Sequence, residues 1–344
     1  MGAIRKPITA SLVRELAGEC GFALAGVSAA RAAPDFERFR DWVDRGLAGE
    51  MRYLTDHRAE LRENPESLLP GVRSVISLGT LYNGPEPLST EFGNAERAWI
   101  SRYAWGDDYH SSIRAQLEQL AGKLLRVEEF RWRACVDTAP LLERSWARQA
   151  GLGWIGKNTC LINERQGSWF FLAELLTTLE IAPDAPAPDR CGTCTRCIEA
   201  CPTDALDNGE LDARRCISYF TIELRGSMPE EHRAAIGAHV FGCDICQDVC
   251  PWNRRAPRTA EFGRAELFAP RLESMAELSE TQFKQMFRDT PVSRAKYRGF
   301  LRNVAVAMGN SGLGKFREAL GRLAASEDPI VAEHAQWALG RLGQ

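Results

Sequence analysis

Two cysteine runs, CGTCTRCIEACP at residues 191–202 and FGCDICQDVCP at residues 241–251, decide how the middle of this chain folds. The first run has the spacing Cys-x2-Cys-x2-Cys-x3-Cys-Pro, in which three thiolates hold one 4Fe–4S cluster and the fourth holds a neighbouring one. The second run repeats the last three positions of that pattern, and its missing ligand is Cys216, 27 residues before Cys243. The runs therefore predict a compact module organised by metal.

Exchanging the fourth ligands between the runs gives two sets of four. The first predicted set is Cys191, Cys194, Cys197 and Cys250, and the second is Cys243, Cys246, Cys216 and Cys201. A pair of zinc sites is the alternative, because Cys-x2-Cys also suits tetrahedral zinc. Zinc requires neither two Cys-Pro endings nor eight cysteines in this order, so the pattern favours two 4Fe–4S clusters that move electrons one at a time.

The rest of the chain has ordinary globular composition. Its 344 residues are 44% hydrophobic and 26% charged with a net charge of −3, which excludes a disordered, fibrous or polycationic protein. The first 190 residues hold only three cysteines, and MGAIRKPITASLVREL at the N-terminus lacks the apolar core of a signal peptide and a twin-arginine pair. No apolar run approaches the ~18 residues of a membrane span. We expect a soluble, cytoplasmic protein without membrane contact.

Helical and strand patterns alternate before the cysteines and indicate an α/β layer structure. Helices are predicted around Leu12–Leu16, Phe36–Val43 and Ile113–Leu125, and strands at Phe22–Val27, Val72–Leu78 and Arg131–Val136. The proline-rich stretch 183–189 marks a boundary. The domains are accordingly predicted at 1–185, 186–260 and 261–344.

The tail is predicted to be helical and contains an internal similarity. RNVAVAMGNSG from Arg302 and EHAQWALGRLG from Glu333 align at an offset of 31 residues. This period is typical of a HEAT-like helix pair, in which each unit buries its apolar face on the next. Two unrelated helices that both end in glycine are the alternative.

One carboxylate stands out in the α/β region. Asp137 ends a predicted strand, just before a helix predicted to begin at Pro140, so its carboxyl should lie at the rim of the sheet. Open α/β folds bind ligands at such rims. The alternative is a helix cap, because aspartate is a preferred N-cap residue.

Four stretches together identify a family. VDTAPLLER at 136–144, GLGWIGKNT at 151–159, the CGTCTRC run and FGCDICQDVCPWN at 241–253 resemble the epoxyqueuosine reductases. The resemblance implies an oxidoreductase with an α/β cobalamin-binding domain, a two-cluster bacterial ferredoxin-like domain and an α-helical HEAT-like C-terminal tail. It further implies the last step of queuosine synthesis, reduction of the epoxide of epoxyqueuosine at the wobble position of tRNA.

The resemblance also implies roles for individual residues. Asp137 becomes the proton donor and a cofactor contact, and the eight cysteines become cluster ligands. Contacts to cobalamin are expected from residues in several short motifs: His57, Tyr109, His110, Lys157, Asn158, Ser218 and Asp244. Arg144 and Arg225 become candidate contacts to tRNA phosphate. Asp108-x-His110 begins like a common cobalamin-binding signature but has Ile113 where that signature has glycine, so we do not expect His110 to bind cobalt from below.

The implied partners are a tRNA with a GUN anticodon and an electron donor such as ferredoxin or flavodoxin, with the enzyme itself a monomer. A local charge excess supports RNA binding, since residues 252–302 hold eleven Lys or Arg against six Asp or Glu. A solvated basic surface is the alternative for that segment. Rival functions are a reductive dehalogenase acting on a small organohalide, and a plain electron-transfer module that leaves the α/β domain without a task.

Overall fold

A computed structural model describes residues 7–259 and 263–343. Predictions on the first six residues and on 260–262, within the basic segment, lie outside the described residues. The strands are β1 Leu24–Ala29, β2 Ser74–Leu81, β3 Trp99–Ile100, β4 Trp132–Cys135, β5 Trp154–Ile155, β6 Leu161–Ile162, β7 Phe170–Thr177, β8 Leu206–Asp207, β9 Glu210–Leu211 and β10 His239–Phe241.

Helices are distributed along the whole chain and are longest in the tail. They are α1 Ala10–Glu19, α2 Phe36–Asp44, α3 Arg52–Thr55, α4 Arg58–Leu61, α5 Tyr109–Leu125, α6 Glu143–Gln149, α7 Arg196–Glu199, α8 Glu230–Arg233, α9 Ile245–Asp248, α10 Leu272–Ala276, α11 Glu280–Met286, α12 Lys296–Asn310, α13 Arg317–Ala324 and α14 Pro329–Arg341. No helix in the described part of the chain is both long and apolar enough to cross a membrane.

The chain divides into two compact units. The sheet unit contains the chain up to Asn83, Tyr109–Cys194 and Pro251–Arg258, and the helical unit contains Gly84–Asp108, Thr195–Cys250 and the described chain from Thr259 onward. These units differ from the predicted boundaries at 185 and 260. The difference arises because Trp99 and Trp105, although early in the sequence, are buried in the core of the tail helices.

The sheet unit is built on one four-stranded sheet with the order β1-β2-β7-β4. All three predicted strands are present with ends shifted by at most three residues, and β7 is the strand between them that the sequence did not predict. Every pairing in this sheet is antiparallel. The analogy with open parallel sheets, which bind ligands where the carboxyl ends of their strands lie side by side, therefore does not apply to this sheet.

The helical unit packs around α12, in which every residue from Phe300 to Gly309 is buried. A Cβ on Gly309 would lie 2.7 Å from the Cβ of Ala338 on α14, so a small residue is needed where these two helices cross. The prediction of a helical tail is confirmed. Its HEAT-like character stays a prediction.

Arg302 occupies the interior of the helical unit, although the sequence suggested a surface role for it in RNA binding. Its side chain is 1% exposed and donates to the backbone oxygens of Leu224 at 2.9 Å, Gly226 at 2.8 Å and Phe220. A π-helix spans Tyr219–Glu223, and its irregular turns leave carbonyl groups that need donors. The expectation of a phosphate contact from Arg302 is therefore wrong.

Replacing Arg302 with methionine should destabilise the helical unit. Hydrogen bonds to a charged group contribute about 1.5–3 kcal/mol each, and the buried carbonyls would lose their partner, so we expect a loss of at least about 3 kcal/mol. The measurement is the thermal unfolding midpoint. Arg298→Met, on the same helix with a side chain 49% exposed, is the control and should change stability by less than about 1 kcal/mol. Equal midpoints for the two variants would contradict this account.

Candidate functional site

Asp137 lies just beyond the end of the edge strand β4, where its side chain is 39% exposed. Its φ is +52°, a left-handed conformation that aspartate tolerates better than most residues. Helix α6 begins only at Glu143, and its N-cap residue is Leu142, which makes no side-chain cap. The expectation of a helix from Pro140, and with it the alternative that Asp137 is a cap, is wrong.

His110 is the nearest titratable partner of Asp137. Its Nε2 lies 3.2 Å from Asp137 Oδ2, and the ring is 24% exposed. The preceding residue, Tyr109, stacks on Phe171 of β7 with ring centroids 4.1 Å apart, and the His110 ring in turn lies over Tyr109 at 4.4 Å. The structure thus brings three predicted site residues together. A carboxyl and an imidazole in contact, on a rigid aromatic base, can hold and transfer a proton.

The segment GWIGKNT forms a tight loop after α6. Asn158 is 4% exposed and its side-chain oxygen accepts from the Cys160 amide at 3.2 Å. Lys157 donates to the Gly192 carbonyl at 2.9 Å, and Arg144 donates to the Thr159 carbonyl. These bonds fix the loop, while Lys157 and Arg144 stay accessible. Their roles toward cofactor and RNA stay predictions.

Three of the predicted ligands of the second cluster gather in the helical unit. The thiols of Cys201, Cys216 and Cys243 are close enough for each ionised thiol to affect the others. Burial raises the pKa of Cys216 above its ordinary value and that of Cys243 well above it, because surroundings without water disfavour the charged thiolate. A nearby positive charge or metal ion would stabilise the thiolates. Iron would supply that charge. The donor chemistry of this group therefore fits a 4Fe–4S cluster.

Backbone amides already point at these sulfurs. The Ala205 amide donates to Cys201 Sγ at 3.3 Å, and Ser218 donates to the Cys216 sulfur through both its amide and its hydroxyl. Hydrogen bonds to the ligating sulfurs tune the potential of iron–sulfur clusters. Ser218, expected at the corrin, is thus a partner of a cluster cysteine. A contact from it to cobalamin stays a prediction.

The other predicted ligands are divided between the units. Cys191 and Cys194 belong to the sheet unit, while Cys197, Cys246 and Cys250 belong to the helical unit. No disulfide joins any two of the eleven cysteines. The assignment of these five to clusters continues to rest on their spacing.

Asp244 has a structural task that the sequence did not indicate. It is 1% exposed, and its carboxylate accepts from Trp99 Nε1 at 3.0 Å, from the Arg102 amide at 2.8 Å and from the Ser101 hydroxyl. These donors tie the start of α9 to β3. Since its two oxygens are occupied and buried, any contact of Asp244 with a corrin would have to come from its backbone.

Two further candidates have exposed side chains. The His57 side chain is 83% exposed, 3.9 Å from Asp56, at the start of α4. Arg225, in the helical unit, donates to the carbonyls of Ile222 at 3.2 Å and Arg294 at 3.0 Å and is otherwise exposed. Their predicted roles stay predictions.

A carboxyl pair beside Asp137, made of the buried Glu174 and the partly exposed Glu143, escaped the sequence analysis. Glu174, in the middle of β7, is 0% exposed and meets Glu143 of α6, whose Oε1 accepts from the Asp137 amide at 2.6 Å. Burial, and then the neighbouring carboxylates, raise the pKa of both groups. The available signal was Glu174 itself, a charged residue inside the otherwise apolar run Trp169–Leu176. Such a residue in a buried strand is rare unless it has a partner.

Two family models match the parts of the chain that contain Asp137 and the cysteine runs. A model described as "4Fe-4S double cluster binding domain" matches residues 190–253, and one described as "Epoxyqueuosine reductase QueG, DUF1730" matches residues 62–138. The second match ends one residue after Asp137. The first includes the seven cysteines of the two runs and also Cys216.

Similar proteins cover nearly the whole chain. The epoxyqueuosine reductase of Xanthomonas campestris pv. campestris is 41% identical over 342 residues, 97% of this chain and 96% of that protein. A crystal structure of epoxyqueuosine reductase with a tRNA-Tyr epoxyqueuosine-modified stem loop is 29% identical, with a TM-score of 0.88 and coverage of 97% and 90%. A Bacillus subtilis enzyme, solved with its catalytic aspartate loop swung out of the active site, has a TM-score of 0.86, 29% identity and the same coverage. On this full-length similarity, the chain belongs to the epoxyqueuosine reductase family of oxidoreductases.

Proposed function

We propose that this protein reduces epoxyqueuosine to queuosine at the wobble position of tRNA, the last step of queuosine biosynthesis. The observation that carries the proposal is the half-exposed Asp137 carboxyl in contact with His110, in a chain of this family. Conversion of the epoxide to the alkene consumes two electrons and two protons and releases the oxygen as water. The enzyme therefore needs an electron path and a placed acid.

Electrons would enter through two 4Fe–4S clusters held by the cysteine sets paired above. Cobalamin, when bound, would supply low-valent cobalt able to reduce the epoxide carbons. The residues of the sheet unit that would face it are Asp137, His110 and Tyr109, with Lys157 and Asn158 as candidates for the corrin side chains. The support is that three of these residues already lie in contact at one end of the sheet.

Asp137 would protonate the epoxide oxygen as the carbon–oxygen bond breaks. An alkoxide is a poor leaving group, so a positioned acid contributes roughly 10²–10⁴ in rate. His110, 3.2 Å away, can orient the Asp137 carboxyl and return a proton to it after each transfer. This role requires a protonated carboxyl at neutral pH, which burial against the apolar face of a bound corrin would favour.

The partners follow from the reaction. The substrate would be a tRNA with a GUN anticodon, whose target base is splayed out toward the site. A ferredoxin or flavodoxin would supply the electrons, and we expect the enzyme to act as a cytoplasmic monomer. Arg144 and Arg225 are the proposed single contacts to phosphate, and the basic segment from Arg254 is the proposed stem-binding surface, without the buried Arg302.

Replacing Arg294, Lys296 and Arg298 together by alanine should weaken stem-loop binding. Each lost phosphate contact lowers the log–log salt slope by about 0.7–0.9, so three would remove about two to three units. We expect a several-fold higher KM with unchanged iron and cobalt content. Lys315→Ala combined with Arg322→Ala, two exposed cations of the tail outside that segment that already pair with glutamates, is the control. If the triple variant has the KM and salt slope of the wild type, these three side chains do not contact the RNA and are only solvated.

The function is tested with protein reconstituted anaerobically with iron, sulfide and cobalamin. A reduced donor and an epoxyqueuosine-containing stem loop should give queuosine, seen as the loss of one oxygen mass from the nucleoside. Parallel assays with chlorinated phenols detect dehalogenation. Dechlorination without queuosine formation would contradict the proposal, as would a protein that binds no corrin in its visible spectrum.

A further inference from the structure

Glu174 lies in an unusual place for a carboxylate. It pairs across the sheet with Ser77 on β2 and with Cys135 on β4, and it shares its face of β7 with Leu176, which packs against Trp146 of α6. Among the described residues, no N–H or O–H group donates to either of its oxygens. Glu174 also meets the carboxyl of Glu143.

Two carboxylates in contact inside a protein cannot both be ionised at little cost. An unpaired buried anion loses its hydration, and a second negative charge adds repulsion, so such a pair retains a proton near neutral pH. Of the two, Glu174 is the more deeply buried and has no donor, whereas Glu143 receives the Asp137 amide and lies near the Arg144 cation. The shared proton therefore belongs on Glu174, which can then donate it as a hydrogen bond to Glu143.

Glu143 in turn acts on the backbone of Asp137. Its Oε1 accepts from the Asp137 N–H at 2.6 Å, across the turn that places Asp137 at φ +52°. That conformation costs an L-residue free energy, so it needs contacts that hold it. Gly26 of β1 lets α6 approach the sheet, since a Cβ there would lie 2.1 Å from the Ala150 carbonyl. Helix α6, which carries Glu143, thus packs closely against the sheet.

We propose that Glu174 and Glu143 share one proton and act as positioning residues that hold the Asp137 loop in its working arrangement. Glu174 donates to Glu143, and Glu143 accepts from the Asp137 amide. The use of this loop arrangement in catalysis rests on the proposed function, whereas the shared proton and the held loop do not. Asp137, Arg144, Arg62 and the Cys135 thiol act electrostatically on the carboxyl pair. Arg133 and Arg114 act on Cys135.

The shared proton is tested by infrared difference spectroscopy on the holoenzyme at neutral pH. Wild type minus Glu174→Gln should show the C=O stretch of one protonated carboxyl, because glutamine removes the acid but keeps a hydrogen-bond donor. Glu118→Gln, an exposed residue of α5, is the control and should show none. A spectrum without that band would overturn the proposal.

The held loop is tested by hydrogen exchange of peptides that contain Asp137. Glu143→Ala should speed exchange of that amide roughly 10–100-fold, the equivalent of losing one hydrogen bond to a charged acceptor. Glu174→Leu, which cannot donate, should shift exchange in the same direction, whereas Glu174→Gln should stay within about threefold of wild type. If Glu174→Leu does not fold, the infrared band and the Glu143→Ala exchange still decide the matter. Unchanged exchange in Glu143→Ala would overturn the proposal.

Kinetic measurements then distinguish a positioning role of the pair from a purely structural role. With bound cobalamin and stem loop, single-turnover rates should fall in Glu143→Ala and in Glu174→Leu. They should stay near the wild-type rate in Glu174→Gln, and KM should stay unchanged in all three variants. A fall in KM and rate together, or equal losses in Glu174→Leu and Glu174→Gln, would contradict the positioning role. If the wild type reduces no epoxyqueuosine, the proposed function fails, but the infrared and exchange results still test the carboxyl pair.

Discussion

Asp137→Asn should reduce turnover of epoxyqueuosine by about 10²–10⁴-fold while both clusters and cobalamin remain bound. Asparagine has nearly the same shape and tolerates the left-handed backbone that Asp137 adopts, so the loop should keep its conformation. What is lost is the acidic proton. The measurement is the single-turnover rate, with iron, cobalt and the visible spectrum recorded on the same sample.

A matched control is available in the tail. Asp289 is also an exposed aspartate at positive φ, +56°, and lies outside the proposed site, so Asp289→Asn should turn over like the wild type. The protonation should also show in the pH profile, where Asp137→Asn loses the limb that reports the acid. Near wild-type turnover in Asp137→Asn, with its cofactors intact, would assign the proton to another group.

Cys216→Ala should remove one of the two clusters and with it all turnover. The thiol of Cys216 lies with those of Cys201 and Cys243, and alanine cannot bind iron. Iron should fall from about eight to about four atoms per chain, because a 4Fe–4S cluster needs four thiolate ligands. The remaining cluster should still give the electron paramagnetic resonance signal of a single reduced 4Fe–4S centre.

Cys20→Ala is the control for this experiment. Cys20 is buried at the end of α1 and lies outside both cysteine runs, so its loss should leave the iron content and turnover unchanged. A Cys216→Ala protein that retains both clusters would contradict the assignment of this cysteine. Loss of both clusters with intact secondary structure would instead mean that the two sites assemble as one.

Local patterns predicted the individual elements well. The predicted elements that the structure contains are the helices α1, α2 and α5 and the strands β1, β2 and β4. Each was predicted from the position of apolar side chains along its own helix or strand, and the sequence gives that position directly. The pairing of those strands was not predictable in this way. Alternation with helices indicated an α/β layer structure but not which strands pair, and the long connections allow the antiparallel order β1-β2-β7-β4.

The sequence by itself determined the chemistry that depends on fixed spacing. Thiolates two and three residues apart can reach one metal cluster whatever the rest of the chain does, so the cysteine runs predicted two-cluster iron–sulfur chemistry. The motif around Asp137 predicted the proton donor. Only the tertiary structure decided which charges are buried. Arg302 and Asp244 are interior partners of backbone and side-chain groups, and Glu174 meets Glu143 across 31 residues of sequence. A side chain's pKa and availability depend on neighbours that the fold brings from distant segments, and no local spacing encodes those neighbours.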